Sequence, residues 1–86
     1  MGKYKIEIKK SAVKELKSIP KSDLYSIIGK IQNLSENPRP CGVQKLAHYE
    51  LYRIRQGDYR IIYTIDDNLV LVQVVKIGHR KDVYNL

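Results

Sequence analysis

Residues 52–63 read YRIRQGDYRIIY, and apolar and polar side chains alternate on both sides of Gln56-Gly57-Asp58. Alternation with a period of two around a glycine-containing turn predicts a β-hairpin. Successive side chains on a strand point to opposite faces, so Arg53 and Arg55 share a face and Arg60 can join them from the second arm. Because like charges on neighbouring strands repel each other, this cluster indicates an anionic partner. A guanidinium suits phosphate, which it grips through a fixed fork of donors.

The segments before the hairpin predict one strand and two helices. Residues 4–9 alternate between apolar and charged side chains, as a half-buried strand does. Helical spacing of apolar residues follows, with Ser11 as a plausible N-cap and Pro20 as the end of the first helix. A second helix is expected to start near Ser22 and Asp23, and its apolar stripe runs to Leu34.

Turn signals and a long apolar run complete the pattern. The prolines and glycine of residues 37–42 indicate a loop, residues 43–49 are ambiguous, and Asp66-Asp67-Asn68 predicts a turn. The last strand is expected over residues 69–77. The predicted fold is therefore α+β in two layers, with the order β-α-α-β-β-β. It has a mostly antiparallel four-stranded sheet and a helical hairpin on one face. The helices should cover the face of Ile54 and Ile61 and leave the arginine face open.

Length and composition narrow the class of protein. The 86 residues fit one domain, 1–86, and the net charge of +7 favours a polyanionic partner such as nucleic acid. Cys41 is the only cysteine, which excludes an internal disulfide and is compatible with a reducing cytoplasm. No apolar run has the length of a signal peptide or a membrane span, so we expect a cytoplasmic protein without a membrane partner. His48 and His79 lack carboxylates at ligand spacing, so neither a metal site nor a cofactor is expected.

The residues after the last strand offer groups for proton transfer. His79 and Tyr84 can move protons, and Arg80 and Lys81 add positive charge beside them. RNA carries its own nucleophile, the 2′-hydroxyl, so a ribonuclease needs a base, an acid and charge stabilisation at phosphorus, but no metal. The simpler alternatives are a solvated arginine face, a Tyr84 packed on the core edge and a His79 on the surface.

Three motifs resemble the RelE branch of the RelE/ParE toxin superfamily. They are LYRIR at 51–55, DYRIIY at 58–63 and IGHRKDVY at 77–84, and the resemblance extends over nearly the whole chain. It implies a toxin that enters the ribosomal A site and cuts the messenger RNA there without a metal. By resemblance, the catalytic set is Arg60, Arg80, Tyr84 and His79, and the RNA-binding set is Arg53, Arg55 and Lys81.

The chain departs from the family pattern at the expected base. Arginines stand at 53 and 55 where the best-known member has lysines, and an arginine stays protonated. The base is then His79 or Tyr84, unless phosphate positioning alone activates the 2′-hydroxyl. Gln44 stands where one sister group uses a glutamate, so that acid–base pair is not expected.

Partner and activity leave alternatives open. The resemblance implies a cognate antitoxin, which we expect to be acidic and to fold over the basic surface. One alternative is a ParE-like toxin that poisons a topoisomerase by binding, without catalysis. Another is a plain nucleic-acid-binding module that only docks on phosphates.

Overall fold

The computed structural model describes residues 3–46 and 50–79. The helices are α1 (Lys10–Lys17) and α2 (Lys21–Glu36). The strands are β1 (Lys5–Ile8), β2 (Gln44–Lys45), β3 (Tyr52–Gln56), β4 (Tyr59–Asp66) and β5 (Leu71–His79). Neither helix is long and apolar enough to cross a membrane.

The strands form one mixed sheet in the order β1-β5-β4-β3-β2. β1 runs parallel to β5, and the other neighbours are antiparallel. The predicted α+β class and mostly antiparallel sheet are confirmed, but the sheet has five strands and not four. The additional strand is β2, whose two residues are too few to produce a recognisable alternation.

The central hairpin forms as predicted. Arg55 lies opposite Arg60, and Gln56 lies opposite Tyr59, which leaves Gly57 and Asp58 as the turn. Gly57 has a φ of +60°, in the left-handed region that glycine adopts without a steric penalty. This local geometry fixes the register, and the register decides which side chains share a face.

The two helices cover one face of the sheet, as predicted. Their buried side chains pack with the inward-facing side chains of β3, β4 and β5 in one core. The fully or almost fully buried members include Ala12, Ile27, Ile31, Leu34, Ile54, Ile61, Tyr63, Val72, Val74 and Ile77. The predicted apolar stripe of α2 is thus the face that meets the sheet.

The helices begin earlier than predicted. Ser11 lies inside α1, and the N-cap residue Lys9 makes no side-chain capping bond. The Lys9 amide donates to the Val74 carbonyl at 2.8 Å, and the Lys9 carbonyl accepts from Val13 at 2.9 Å. The sheet therefore sets the point at which the chain enters α1, and the cap assigned to Ser11 was wrong. α2 likewise begins at Lys21, directly after Pro20.

Asp66 organises the turn between β4 and β5, as its sequence predicts. Its Oδ1 accepts from the amides of Asn68 and Leu69 at 3.0 and 2.9 Å. The turn continues to Val70, which has a φ of +52°, so β5 starts at Leu71 and not at Leu69. The last strand is thus displaced by two residues from its predicted range and ends at His79.

Candidate phosphate-binding cavity

Three arginines from the central hairpin line one cavity. Arg53 and Arg55 lie on β3, and Arg60 lies directly opposite Arg55 on β4. All three contribute to the wall of a cavity of about 260 Å³. The structure thus brings together the three arginines that alternation placed on one face.

The same cavity contains residues that sequence reasoning did not assign to it. Lys30 reaches it from α2, and Cys41 and Gly42 border it from the loop before β2. Gln44 also lines the wall, next to the arginines. Lys30 directly precedes Ile31, which is buried in the core. This neighbour is the one feature of the local sequence that places Lys30 near the sheet. The cavity, a candidate phosphate-binding site and named the phosphate-binding cavity for that reason, is lined by Lys30, Cys41, Gly42, Gln44, Arg53, Ile54, Arg55 and Arg60.

Arg60 is the buried member of the cluster. Its side chain is only 4% exposed, and its Nη1 is buried without a hydrogen-bond partner among the residues that the structure describes. Ile62, two residues further on the same face, is 0% exposed. The expectation of an open arginine face is therefore wrong at these two positions. The reason is that β4 is the middle strand, so neighbours on both sides shield its side chains.

An unpartnered buried donor is costly for the fold. Leaving such a group unsatisfied costs about 1–3 kcal/mol, and more when the group is charged. Arg60 lines the cavity, so an anion there would lie beside a charged side chain whose Nη1 has no hydrogen-bond partner among the described residues. The unsatisfied donor therefore indicates a ligand that accepts hydrogen bonds and carries negative charge.

The positive charge of the cavity is not neutralised from within. In the described ranges, the ion pairs involve Lys3, Arg39, Lys45 and Lys76. None of them involves Lys30 or the hairpin arginines. Arg53 donates to the Oε1 atom of Gln44, a neutral amide that orients the guanidinium without cancelling its charge. Four cations thus line one space, and none of them pairs with an acid among the described residues.

His79 is separated from the arginines. It lies opposite Tyr59 across β4 and β5, and the two rings make an edge-to-face contact with centroids 5.7 Å apart. Arg60 instead lies opposite Gly78, so Arg60 and His79 belong to opposite faces of the sheet. His79 lines a second cavity of about 270 Å³, together with Glu15 and Ser18. The structure therefore does not bring His79 into the phosphate-binding cavity.

The other tail residues of the predicted site are Arg80, Lys81 and Tyr84. They lie outside the described residues, as does His48. Their roles remain predictions from the resemblance. The last residue described before them is His79, where β5 ends. His79 lies opposite Tyr59, next to the turn of the central hairpin.

A network of polar contacts holds the start of the loop at 37–43. Arg39 pairs with Asp67 at 3.0 Å, and the Tyr4 hydroxyl donates to the same carboxylate at 2.7 Å. These bonds lower the pKa of Asp67, and they raise the pKa values of Arg39 and Tyr4. The Arg39 guanidinium also lies 5.5 Å from the centre of the Tyr52 ring. The loop is therefore tied to β3 and to the turn after β4.

Tyr63 fixes the same loop from the core. Its hydroxyl donates to the Pro38 carbonyl at 2.7 Å, and its ring stacks on Tyr52 with centroids 5.9 Å apart. Burial, and secondarily the neighbouring Tyr52, raise the pKa of Tyr63 to about 12. The protonated hydroxyl is thus kept as a donor, and it anchors the loop that carries Cys41 and Gly42 to the cavity.

Glu15 of α1 supports the end of β5. β1 stops at Ile8, opposite Val74, so among the described residues the rest of β5 has no partner strand on that side. The Ile77 amide donates to Glu15 Oε1 at 2.8 Å, and Lys76 Nζ lies 3.2 Å from Glu15 Oε2. One carboxylate therefore replaces the missing strand and holds the segment that packs beside Arg60.

Comparison with known proteins identifies the family of the chain. A family model described as the ParE toxin of type II toxin–antitoxin systems, parDE, matches residues 6–84. A Methanocaldococcus jannaschii protein named as a candidate toxin RelE1 is 33% identical over 88 residues, covering 95% of this chain and 96% of the relative.

Solved structures of RelE proteins share the fold. RelE in the RelE–RelB complex from Pyrococcus horikoshii aligns with a TM-score of 0.83 and 31% identity, covering 93% of this chain and 98% of that chain. The isolated E. coli RelE toxin aligns with a TM-score of 0.78 and 25% identity, covering 94% and 90%. The chain therefore belongs to the ParE toxin family of type II toxin–antitoxin systems, within the RelE/ParE superfamily, and is a RelE-like toxin.

Proposed function

We propose that this toxin is a ribosome-dependent endoribonuclease, an mRNA interferase that cuts messenger RNA in the ribosomal A site of the cytoplasm. The observation that carries the proposal is the cavity lined by Arg53, Arg55 and the buried Arg60, whose Nη1 has no hydrogen-bond partner among the described residues. A cleft with uncompensated guanidinium groups suits a phosphodiester whose negative charge increases in the transition state.

The proposed reaction needs no metal. The 2′-oxygen attacks the adjacent phosphorus, the bond from phosphorus to the 5′-oxygen breaks, and a 2′,3′-cyclic phosphate remains on one product. Arg60, with Arg80, stabilises the charge on the pentavalent phosphorus, while Arg53 and Arg55 hold the backbone. The 2′-hydroxyl loses a proton and the leaving 5′-oxygen gains one.

We assign proton transfer to the residues at the end of the chain, from His79 to Tyr84. Arginines stay protonated, so none of the three hairpin arginines serves as the base. Of the two residues considered for this role, we favour Tyr84 over His79, because His79 lines a different cavity on the opposite face of the sheet. Lys81 is retained as an RNA-binding residue by resemblance.

The proposed regulator is an acidic antitoxin. The Pyrococcus horikoshii relative was crystallised as a RelE–RelB complex. A net charge of +7 would attract an acidic chain to the same surface that holds RNA. We propose that the cognate antitoxin covers this surface and folds as it binds.

The test uses inducible expression and a purified ribosome assay. Arg60→Ala should lower messenger cleavage on programmed ribosomes by about 100-fold or more, because it removes a donor at the developing charge. Tyr84→Phe should also lose cleavage, whereas Lys14→Ala, on the exposed side of α1, should behave as wild type. If both site variants arrest growth and cut messenger like the wild type, the assignment fails.

The second candidate is a ParE-like toxin that poisons a topoisomerase by binding. The description of the matching family model favours it. It does not require the free Nη1 of Arg60, and it predicts DNA breaks while the messenger remains intact. Measuring both lesions in the same induced culture separates the two functions.

A further inference from the structure

Cys41 is the only thiol of the chain, and the proposed reaction does not use it. It is exposed, and it lines the phosphate-binding cavity beside Gly42. The hydrogen bond between Tyr63 and Pro38 anchors the loop that carries it. The thiol therefore lies on the wall of a cationic space, three residues after the anchored Pro38.

We propose that Cys41 is a modification site for acidic, low-molecular-weight disulfides such as glutathione disulfide, and that the adduct closes the phosphate-binding cavity. The consequence for RNA rests on the proposed function, but the modification itself does not.

The cavity selects for negative charge. Lys30, Arg53, Arg55 and Arg60 share its wall with Cys41, and no acid in the described ranges pairs with any of the four. Arg60 lines the same space, is 4% exposed, and has a buried Nη1 without a hydrogen-bond partner among the described residues. A disulfide that carries carboxylates is attracted by this field, and once it is attached its carboxylates lie beside the Arg60 guanidinium.

The chemistry is thiol–disulfide exchange. The Cys41 thiolate attacks one sulfur of the small disulfide, a new S–S bond forms to Cys41, and the original S–S bond breaks. The second half leaves as a thiolate and takes up a proton. The small disulfide is the only oxidant required. With no second cysteine in the chain, the mixed disulfide cannot be resolved internally, so only an external thiol removes it.

Charge selectivity of the reaction rate tests the modification. The purified protein is treated with an anionic aromatic dicarboxylate disulfide, a neutral dipyridyl disulfide and cationic cystamine. The control thiol is the double variant Cys41→Ala, Asn33→Cys, which places a cysteine on an exposed position of α2. We expect the anionic-to-neutral rate ratio at Cys41 to exceed that of the control by about tenfold.

The preference of Cys41 for the anionic disulfide should disappear when the positive charge of the cavity is screened or removed. In about 1 M salt the Debye length falls to about 3 Å, so the rate ratio should approach that of the control. The Arg53→Met, Arg55→Met double variant should show the same reduction at low salt. A rate ratio at Cys41 equal to that of the control thiol in low salt overturns the proposal.

The effect on RNA is measured separately. After treatment with glutathione disulfide, messenger cleavage on ribosomes should fall by at least about tenfold and return after a reducing thiol is added. Cys41→Ala should show no difference between treated and untreated protein. Full cleavage by the stoichiometrically modified protein overturns the blocking role. A chain that never cuts RNA refutes the proposed function, while the rate ratios still decide the modification.

Discussion

Arg60→Met tests whether the buried guanidinium serves a ligand at the expense of stability. Methionine keeps a long, flexible apolar side chain in the site and removes the charge together with the unpartnered Nη1. Because an unsatisfied buried donor costs about 1–3 kcal/mol, the free energy of unfolding should rise by roughly that amount. In a domain of this size each kcal/mol corresponds to about 4–8 °C in Tm, so the variant should melt clearly above the wild type.

The assay is urea unfolding of the wild type, Arg60→Met and Arg55→Met at one ionic strength. Arg55 is the matched control, because it lies directly opposite Arg60 but is exposed, and its loss should change stability by no more than about 0.5 kcal/mol. Replacing chloride with sulfate should stabilise both proteins, because sulfate is excluded from protein surfaces and strengthens burial. The gain should be larger for the wild type, in which an anion bound beside Arg60 adds to this general effect.

Either of two results would refute this reasoning. If the free energy of unfolding of Arg60→Met is lower than that of the wild type by more than about 1 kcal/mol, the guanidinium stabilises the fold and is not an unsatisfied group. An equal sulfate effect on both proteins would mean that no anion bound beside Arg60 adds to the general effect of the salt. In either case Arg60 would no longer indicate a phosphate ligand.

Three further changes test the contacts that support the site. Glu15→Ala should lower the free energy of unfolding by about 1–3 kcal/mol and speed hydrogen exchange at the Ile77 amide. Glu15→Gln keeps an acceptor oxygen and should lower the free energy of unfolding by less. Equal losses in the two variants would contradict the role of this hydrogen bond. Tyr63→Phe should cost about 1 kcal/mol at neutral pH. The Tyr63 pKa is raised to about 12 in the folded state, against about 10 when unfolded, so wild-type stability should fall as pH rises through this range, more steeply than in Tyr63→Phe. The pKa of Asp67 is lowered in the folded state, so its pH dependence has the opposite sign. The wild type should be more stable than Asp67→Asn above pH about 4, and this difference in the free energy of unfolding should be lost as the pH falls through the pKa of the folded state. Urea unfolding at a series of pH values measures the effects of Tyr63 and of Asp67. A difference in stability between the wild type and Asp67→Asn that does not change at acidic pH would contradict the role of Asp67.

The amino-acid sequence alone determined the local elements and their faces. The alternation around Gly57 predicted the hairpin, and the same period placed Arg53, Arg55 and Arg60 together. The helical stripe of α2 and the turn at Asp66 were also correct, because periods of 2 and 3.6 residues and side-chain bonds to nearby amides are local properties.

The tertiary structure decided everything that depends on contacts between distant segments. The central place of β4 in the sheet buried Arg60, and the packing of α2 brought Lys30 to the cavity. The pairing of β4 with β5 turned His79 to the other face, although it stands in sequence beside predicted site residues. Strand order and register arise from long-range hydrogen bonding and core packing, which no local period of the sequence records.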